Sequence, residues 1–164
     1  MAYLLDTNVF IEAKRRYYGL DFCPAFWEWL IKKNKAKTVY SIEKVGDEIA
    51  AGDDELSDWA AQRGDNFFLK PDEKLLSVLG QVSDWVTNQN YEPAAINTFL
   101  QDADYYLVAH ALAHGYTVVT HEVAAASKKI IKIPNVCIGL KIKCMNPFEM
   151  LRHERARFIL GPKT

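Results

Sequence analysis

A chain of 164 residues that is 49% hydrophobic and 25% charged fits one domain, with a core large enough to stand without disulfides or a structural metal, and is not the composition of a disordered or low-complexity polypeptide. The formal net charge of −1 gives no bulk attraction to nucleic acid, so any grip on phosphate must come from local clusters of Lys and Arg. The three cysteines, Cys23, Cys137 and Cys144, lack the C-x-x-C spacing of zinc and redox sites, which predicts reduced thiols and a cytoplasmic protein.

The apolar start Ala2–Leu5 is closed by Asp6 and has no basic segment before it, too short for a signal peptide or a membrane span, so it reads as a core strand. Asp6-Thr7-Asn8 favours a turn and a helix cap, and a helix over Val9–Arg16 follows. Pro24 suits the start of a second helix, Ala25–Lys33, with Lys32, Lys33, Lys35 and Lys37 at its exit. Thr38–Tyr40 reads as a strand, Ser41 as the cap of a helix carrying Ile42, Val45 and Ile49 on one face, and Gly52 as its stop. Helix Glu55–Gln62 and strand Phe67–Leu69 come next, and Pro71 ends the strand.

Apolar residues at near-helical period run through Pro71–Val86, and Asn88–Pro93 is a polar loop with helix after it. Leu107, Val108, Ala111 and Leu112 mark a helix from Asp102 or Asp104 to His114-Gly115, and Thr117–Thr120 is a strand. Val136-Cys137-Ile138 reads as an edge strand, and Pro147–Arg157 as a last helix that packs on the domain. Strands separated by helices predict a three-layer α/β/α sandwich with a central, mainly parallel sheet. One domain is expected over residues 1–160, with 161–164 as a flexible tail; no segment is apolar enough to predict a membrane partner.

Four acids stand where an apolar strand ends or on a helix that can point toward such an end: Asp6, Glu48, Asp104 and Glu122. Ligands of open parallel sheets bind at the carboxyl ends of the strands, where Asp6 and Glu122 would meet. Clustered carboxylates repel one another unless a cation neutralises them, and oxygen ligands select Mg2+ or Mn2+ over zinc. The plainer reading makes Asp6 a helix cap and the other acids solvated surface. Asp102 competes with Asp104 for a place in the cluster, and Glu43 or Asp47 with Glu48; apolar spacing and the trailing Gly52 favour Asp104 and Glu48.

Leu4-Leu-Asp-Thr-Asn-Val-Phe-Ile11, Glu48-Ile-Ala-Ala-Gly52, Asp104-Tyr-Tyr-Leu-Val-Ala-His-Ala-Leu112 and Thr117-Val-Val-Thr-His-Glu122 resemble, in order, the motifs of PIN-domain ribonucleases, a family that includes VapC-type toxins. The resemblance spans roughly Ala2–Val123 and departs from the common pattern at Glu122, where the family carries Asp. It implies a Mg2+- or Mn2+-dependent ribonuclease that hydrolyses RNA phosphodiesters with a metal-activated water. Asp6, Glu48 and Asp104 would bind the ion, Glu122 would complete the pocket or hold a second ion, and Thr7, Asn8 and Thr120 would hydrogen-bond the carboxylates or a phosphate oxygen. It further implies a homodimer and the toxin of a toxin-antitoxin pair, with an antitoxin protein as partner.

Lys14-Arg15-Arg16 and Lys128-Lys129 follow proposed site segments, so Arg15, Arg16, Lys128 and Lys129 are candidates for RNA backbone contacts, with a solvated helix end as the alternative. Trp27, Trp29, Trp59 and Trp85 read as core or subunit-interface residues rather than stacking platforms. His110 and His114 are spaced to share a helix face but lack a third zinc ligand. A magnesium-dependent phosphatase of the haloacid-dehalogenase kind would need a second Asp where Asn8 stands. A catalytically silent PIN-like module that binds RNA or protein is the remaining alternative.

Overall fold

The computed structural model describes residues 1–161; residues 162–164 of the expected tail lie outside the described residues. Strand β1 (Tyr3–Leu5) is wholly buried, and α1 (Thr7–Glu12) starts where the Asp6 carboxylate accepts from the Thr7 amide. A π-helical turn, Ala13–Tyr17, leads to α2 (Pro24–Lys35), β2 (Val39–Ile42), α3 (Glu43–Ala50), α4 (Glu55–Ala61) and β3 (Phe68–Leu69). There follow α5 (Glu73–Thr87), α6 (Pro93–Gln101), α7 (Ala103–His114), β4 (Thr117–Val119), α8 (Ile133–Leu140), β5 (Cys144–Met145) and α9 (Pro147–His153).

The five strands lie in the order β3-β2-β1-β4-β5 with every neighbouring pair parallel, in register Leu4 to Tyr40 and Leu5 to Val119 at the centre. Because right-handed crossovers leave β1 in opposite directions, the connecting helices fall on opposite faces and give the α/β/α sandwich the sequence predicts. Central strands buried on both faces read as continuous apolar runs, as Tyr3-Leu4-Leu5 and Val118-Val119 do, and Phe10, Trp27, Leu30, Leu75 and Leu107 complete the core. Gly115 ends α7 at φ 71°, a left-handed cap that a glycine adopts without strain.

Several local expectations fail. Val136-Cys137-Ile138 is not a strand but the middle of α8, which has Pro134 in its first turn and which packs so closely on α5 that a β-carbon at Gly139 would overlap the Trp85 indole. The edge strand is β5, paired to β4 through Val118–Cys144 and Val119–Met145. Ser41 caps no helix: it lies within β2, fully buried, and its hydroxyl donates to the Leu5 carbonyl at 2.6 Å. The helix expected to Arg16 changes at Ala13 to the wider π form, and α9 stops at His153, short of Arg157, just before Arg155 turns to φ 53°. Phe158 still packs on the domain, edge-on to Tyr18 and Phe26. Among the described residues no helix is long and apolar enough to cross a membrane.

Candidate functional site

The reversal of strand order between β1 and β4 opens a crevice at their carboxyl ends, and Asp6 and Thr120 sit at its floor. Asp6 is both a helix cap and a buried carboxylate: Oδ1 accepts from the Thr7 amide at 2.8 Å and Oδ2 from the Thr120 hydroxyl at 2.8 Å. Asn8 spans the same two strand ends, donating its amide to Thr120 Oγ1 at 3.2 Å and accepting from the His121 amide at 3.0 Å. Thr7 reaches outward, its hydroxyl donating to Glu48 Oε2 at 2.6 Å. Asn8 and Thr120 therefore cross-bond the β1–α1 and β4 ends, and Thr7 ties the start of α1 to Glu48 of α3; these are the three residues expected to support the acids.

Above this floor lies an open groove of about 280 Å³ lined by Asp6, Glu48, Asp102, Asp104 and Glu122 together with Thr7, Asn8 and Ile11. Glu48 enters from α3 and Asp104 from the first turn of α7. Asp102 is the cap of α7, accepting from the Ala103 amide at 2.7 Å, and also lines the groove, so the structure brings Asp102 and Asp104 in together. Asp47 and Glu43 line a different cleft, with Gly46 and Phe68. Glu122 has a structural bond as well: its Oε2 accepts from the amide of Ile133, the first residue of α8, at 2.7 Å. The sequence has no local signal for that bond, because cap and helix are joined only by the folded 121–132 loop.

The electrostatics follow from five carboxylates and, among the described residues, no basic side chain lining the groove. Burial pushes the Asp6 carboxyl up to about 7, against the Thr120 hydrogen bond and with help from the charges of Glu122 and Glu48. Asp104 rises to about 8, by burial first and then by the charges of Asp6, Asp102, Glu122 and Glu48. Burial also raises Glu48, opposed by the Thr7 hydroxyl and reinforced by Asp102. Among the described residues no three His, Cys, Asp or Glu side chains form a ready-made metal cage; the acids are spread along the groove. Their chemistry, hard oxygen donors in uncompensated negative surroundings, fits a divalent cation such as Mg2+ or Mn2+.

The basic candidates divide. Lys129 lines a recess of about 360 Å³ beside the acids, with Phe99, Thr98, Ile130 and Ile131, and this recess shares Asp102, Asp104 and Glu122 with the groove. Lys128 turns to the Gln89 carbonyl at 2.9 Å and over the Tyr91 ring. Arg15 and Arg16 are exposed on the π turn, Arg16 paired to Glu12 at 3.2 Å. No tryptophan lines the groove; Trp27 and Trp59 are core, while Trp29 and Trp85 are half-buried against it. His114 pairs with Asp72 at 2.8 Å, and His110 is buried beside it. Cys23, Cys137 and Cys144 are free thiols.

A family model described as a domain of unknown function, DUF4411, matches residues 3–158. The chain belongs to the DUF4411 family. No functionally curated protein matches this DUF4411 chain. Among solved structures it is similar to FitAcB from Neisseria gonorrhoeae, at 22% identity and a TM-score of 0.55 over 89% of this chain and 98% of that one. It is also similar to FitAB bound to an IR36 DNA fragment, at 21% identity and a TM-score of 0.55 over 89% and 95% of the two chains. At such identity the likeness concerns the fold, and the DUF4411 fold is PIN-like.

Proposed function

We propose that this chain is a metal-dependent ribonuclease that hydrolyses RNA phosphodiesters, with Mg2+ or Mn2+ held by Asp6, Glu48 and Asp104 and the pocket completed by Glu122, Asp102 standing beside them. The observation that carries the reading is the meeting of carboxylates from four separated chain segments in one groove at the strand-order reversal of a PIN-like sheet. A divalent ion bound there would neutralise the acids, acidify the attacking water and take up charge on the phosphate oxygens. The chain's own residues do the positioning: Thr120 and the Thr7 amide fix both oxygens of Asp6, Thr7 orients Glu48, and α7 presents Asp104. Lys129 would meet a substrate phosphate in the recess beside the acids.

A toxin role with an antitoxin partner is the finer part of this reading; it is supported by the sequence resemblance to VapC-type toxins and by the fold shared with FitAcB and FitAB. A second reading, a silent module that binds without cutting, draws support from Glu122, one of whose oxygens is already occupied by the Ile133 amide. Cleavage of end-labelled total and transfer RNA with Mn2+ or Mg2+, against EDTA and Asp6→Asn, decides between them. Metal-dependent cutting that Asp6→Asn abolishes supports the nuclease; no cutting with either metal leaves the silent module.

A further inference from the structure

Beside the acids stands a group of aromatic rings that the reading above does not use. Tyr17 closes the π turn, His121 follows β4, and Phe148 is in the first turn of α9. The Tyr17 and His121 rings lie nearly parallel, 5.8 Å apart at 22°; Phe148 meets Tyr17 edge-on at 5.0 Å and His121 at 5.8 Å. Tyr17 is 42% exposed, unlike the aromatic residues of the core. The wider π turn, whose hydrogen bonds span one residue more than those of an α-helix, is the local departure that ends in Tyr17.

We propose that Tyr17, His121 and Phe148 form a stacking platform for a nucleobase of single-stranded RNA whose backbone crosses the carboxylate groove; this rests on the nuclease reading. Platform and groove are joined. The His121 amide donates to Asn8 Oδ1, and the Asn8 amide donates to the Thr120 hydroxyl that holds Asp6. His121 and Phe148 line a cavity of about 400 Å³ that also contains Thr120 and Glu122, so a strand leaving the acids enters this space directly.

The occupant is argued from charge and shape. Arg15, exposed, and Arg16, exposed and paired to Glu12, stand immediately before Tyr17, which places the Arg15 cation for the backbone next to a ring for the base. Stacking on an aromatic face requires an unpaired base, so the platform selects single strands over duplex, with little preference among the four bases.

The test uses the full chain carrying Asp6→Asn, so that RNA is not consumed, and short RNA oligonucleotides with 2-aminopurine at successive positions. Quenching of the probe at one or two positions is expected in single strands and not in duplex. Tyr17→Ala should weaken binding about tenfold and remove the quenching, with Tyr17→Phe and Tyr17→Trp restoring both. On the otherwise native chain, Tyr17→Ala should raise KM about tenfold and leave kcat within about twofold.

Equal binding of duplex and single strand, or quenching that survives Tyr17→Ala, overturns the platform, as does a Tyr17→Ala variant that loses only a protein partner. The two readings fail separately. Metal-dependent cleavage without quenching leaves a nuclease that has no such platform, and quenching without cleavage leaves the platform on a silent module.

Discussion

The Thr120 hydroxyl donates to Asp6 Oδ2 at 2.8 Å across a separation of 114 residues, and so locks the end of β4 to the end of β1 beneath the groove. The same oxygen accepts from the Asn8 side chain and from the Glu122 amide, which uses its one donor and both acceptor positions. Thr120→Val keeps the shape and removes all three bonds. A buried hydrogen bond to a charged group contributes about 1.5–3 kcal/mol, so the variant should lose stability of that order and Mn2+ affinity with it. Thr120→Ser should retain most of both. Urea unfolding together with calorimetric Mn2+ titration checks this, and a valine variant with unchanged Mn2+ affinity would remove Thr120 from the site.

The carboxyls of Asp6 and Asp104 lie at about 7 and about 8 in the folded chain, against an ordinary value of 3.8. A carboxyl raised by folding holds its proton longer in the native state than in the unfolded one, so its contribution to stability is complete below pH about 4 and is lost as pH climbs through the folded value. In EDTA the thermal midpoint should therefore fall between pH about 4 and about 8, and Mn2+ or Mg2+ should restore it most at the alkaline end. Asp104→Asn should melt higher than the native chain at pH 8 in EDTA, by on the order of 2 kcal/mol, and gain less from Mn2+. An Asn variant no more stable than the native chain under those conditions would show that Asp104 carries no such strain.

The fold and the acids were legible because the signals are short and local. Tyr3-Leu4-Leu5 and Val118-Val119 are apolar runs that end at once in cap-forming or polar residues, and these are the two central strands that bear the site. Where the sequence misled, the cause was a contact distant in the chain. The residue before α8 is Lys132, which supplies no side-chain cap; Glu122 supplies the acceptor from eleven positions away, so Val136-Cys137-Ile138 looked like a strand. Ser41 is a good cap by type, but the Leu5 carbonyl of the neighbouring strand claims its hydroxyl. β5 is two residues long and has no period to read. Apolar spacing favours Asp104 over Asp102, but it does not show that the cap of α7 and its first turn face the same groove, which brings both acids in.

Glu122 holds two positions at once, acceptor for the Ile133 amide and wall of the groove, and two substitutions separate them. Glu122→Gln keeps a carbonyl for the amide and removes the charge; its stability should stay within about 0.5 kcal/mol of the native chain while cleavage falls at least about tenfold. Glu122→Ala loses the cap as well and should cost about 1 kcal/mol more. Thermal melts beside RNA cleavage rates decide this. A Gln variant that cuts at the native rate would confine Glu122 to holding α8.

Lys128 and Lys129 are adjacent in sequence and opposite in use. Lys128 Nζ donates to the Gln89 carbonyl and sits over Tyr91, tying the 121–132 loop to the segment before α6, whereas Lys129 faces the recess beside Asp104 and Glu122. A lysine that meets a substrate phosphate contributes a counterion-release term, so Lys129→Ala should raise KM several-fold and reduce the slope of log affinity against log salt by about 0.7, the value for one phosphate on a single strand. Lys128→Ala should leave that slope alone and show its effect in loop stability, read as faster amide exchange at Glu92, whose N–H bonds the Lys128 carbonyl at 2.9 Å. Equal salt slopes for the two variants would mean that the recess beside the acids does not take the RNA backbone, and the path of the strand would then have to be sought along Arg15 and Arg16 alone.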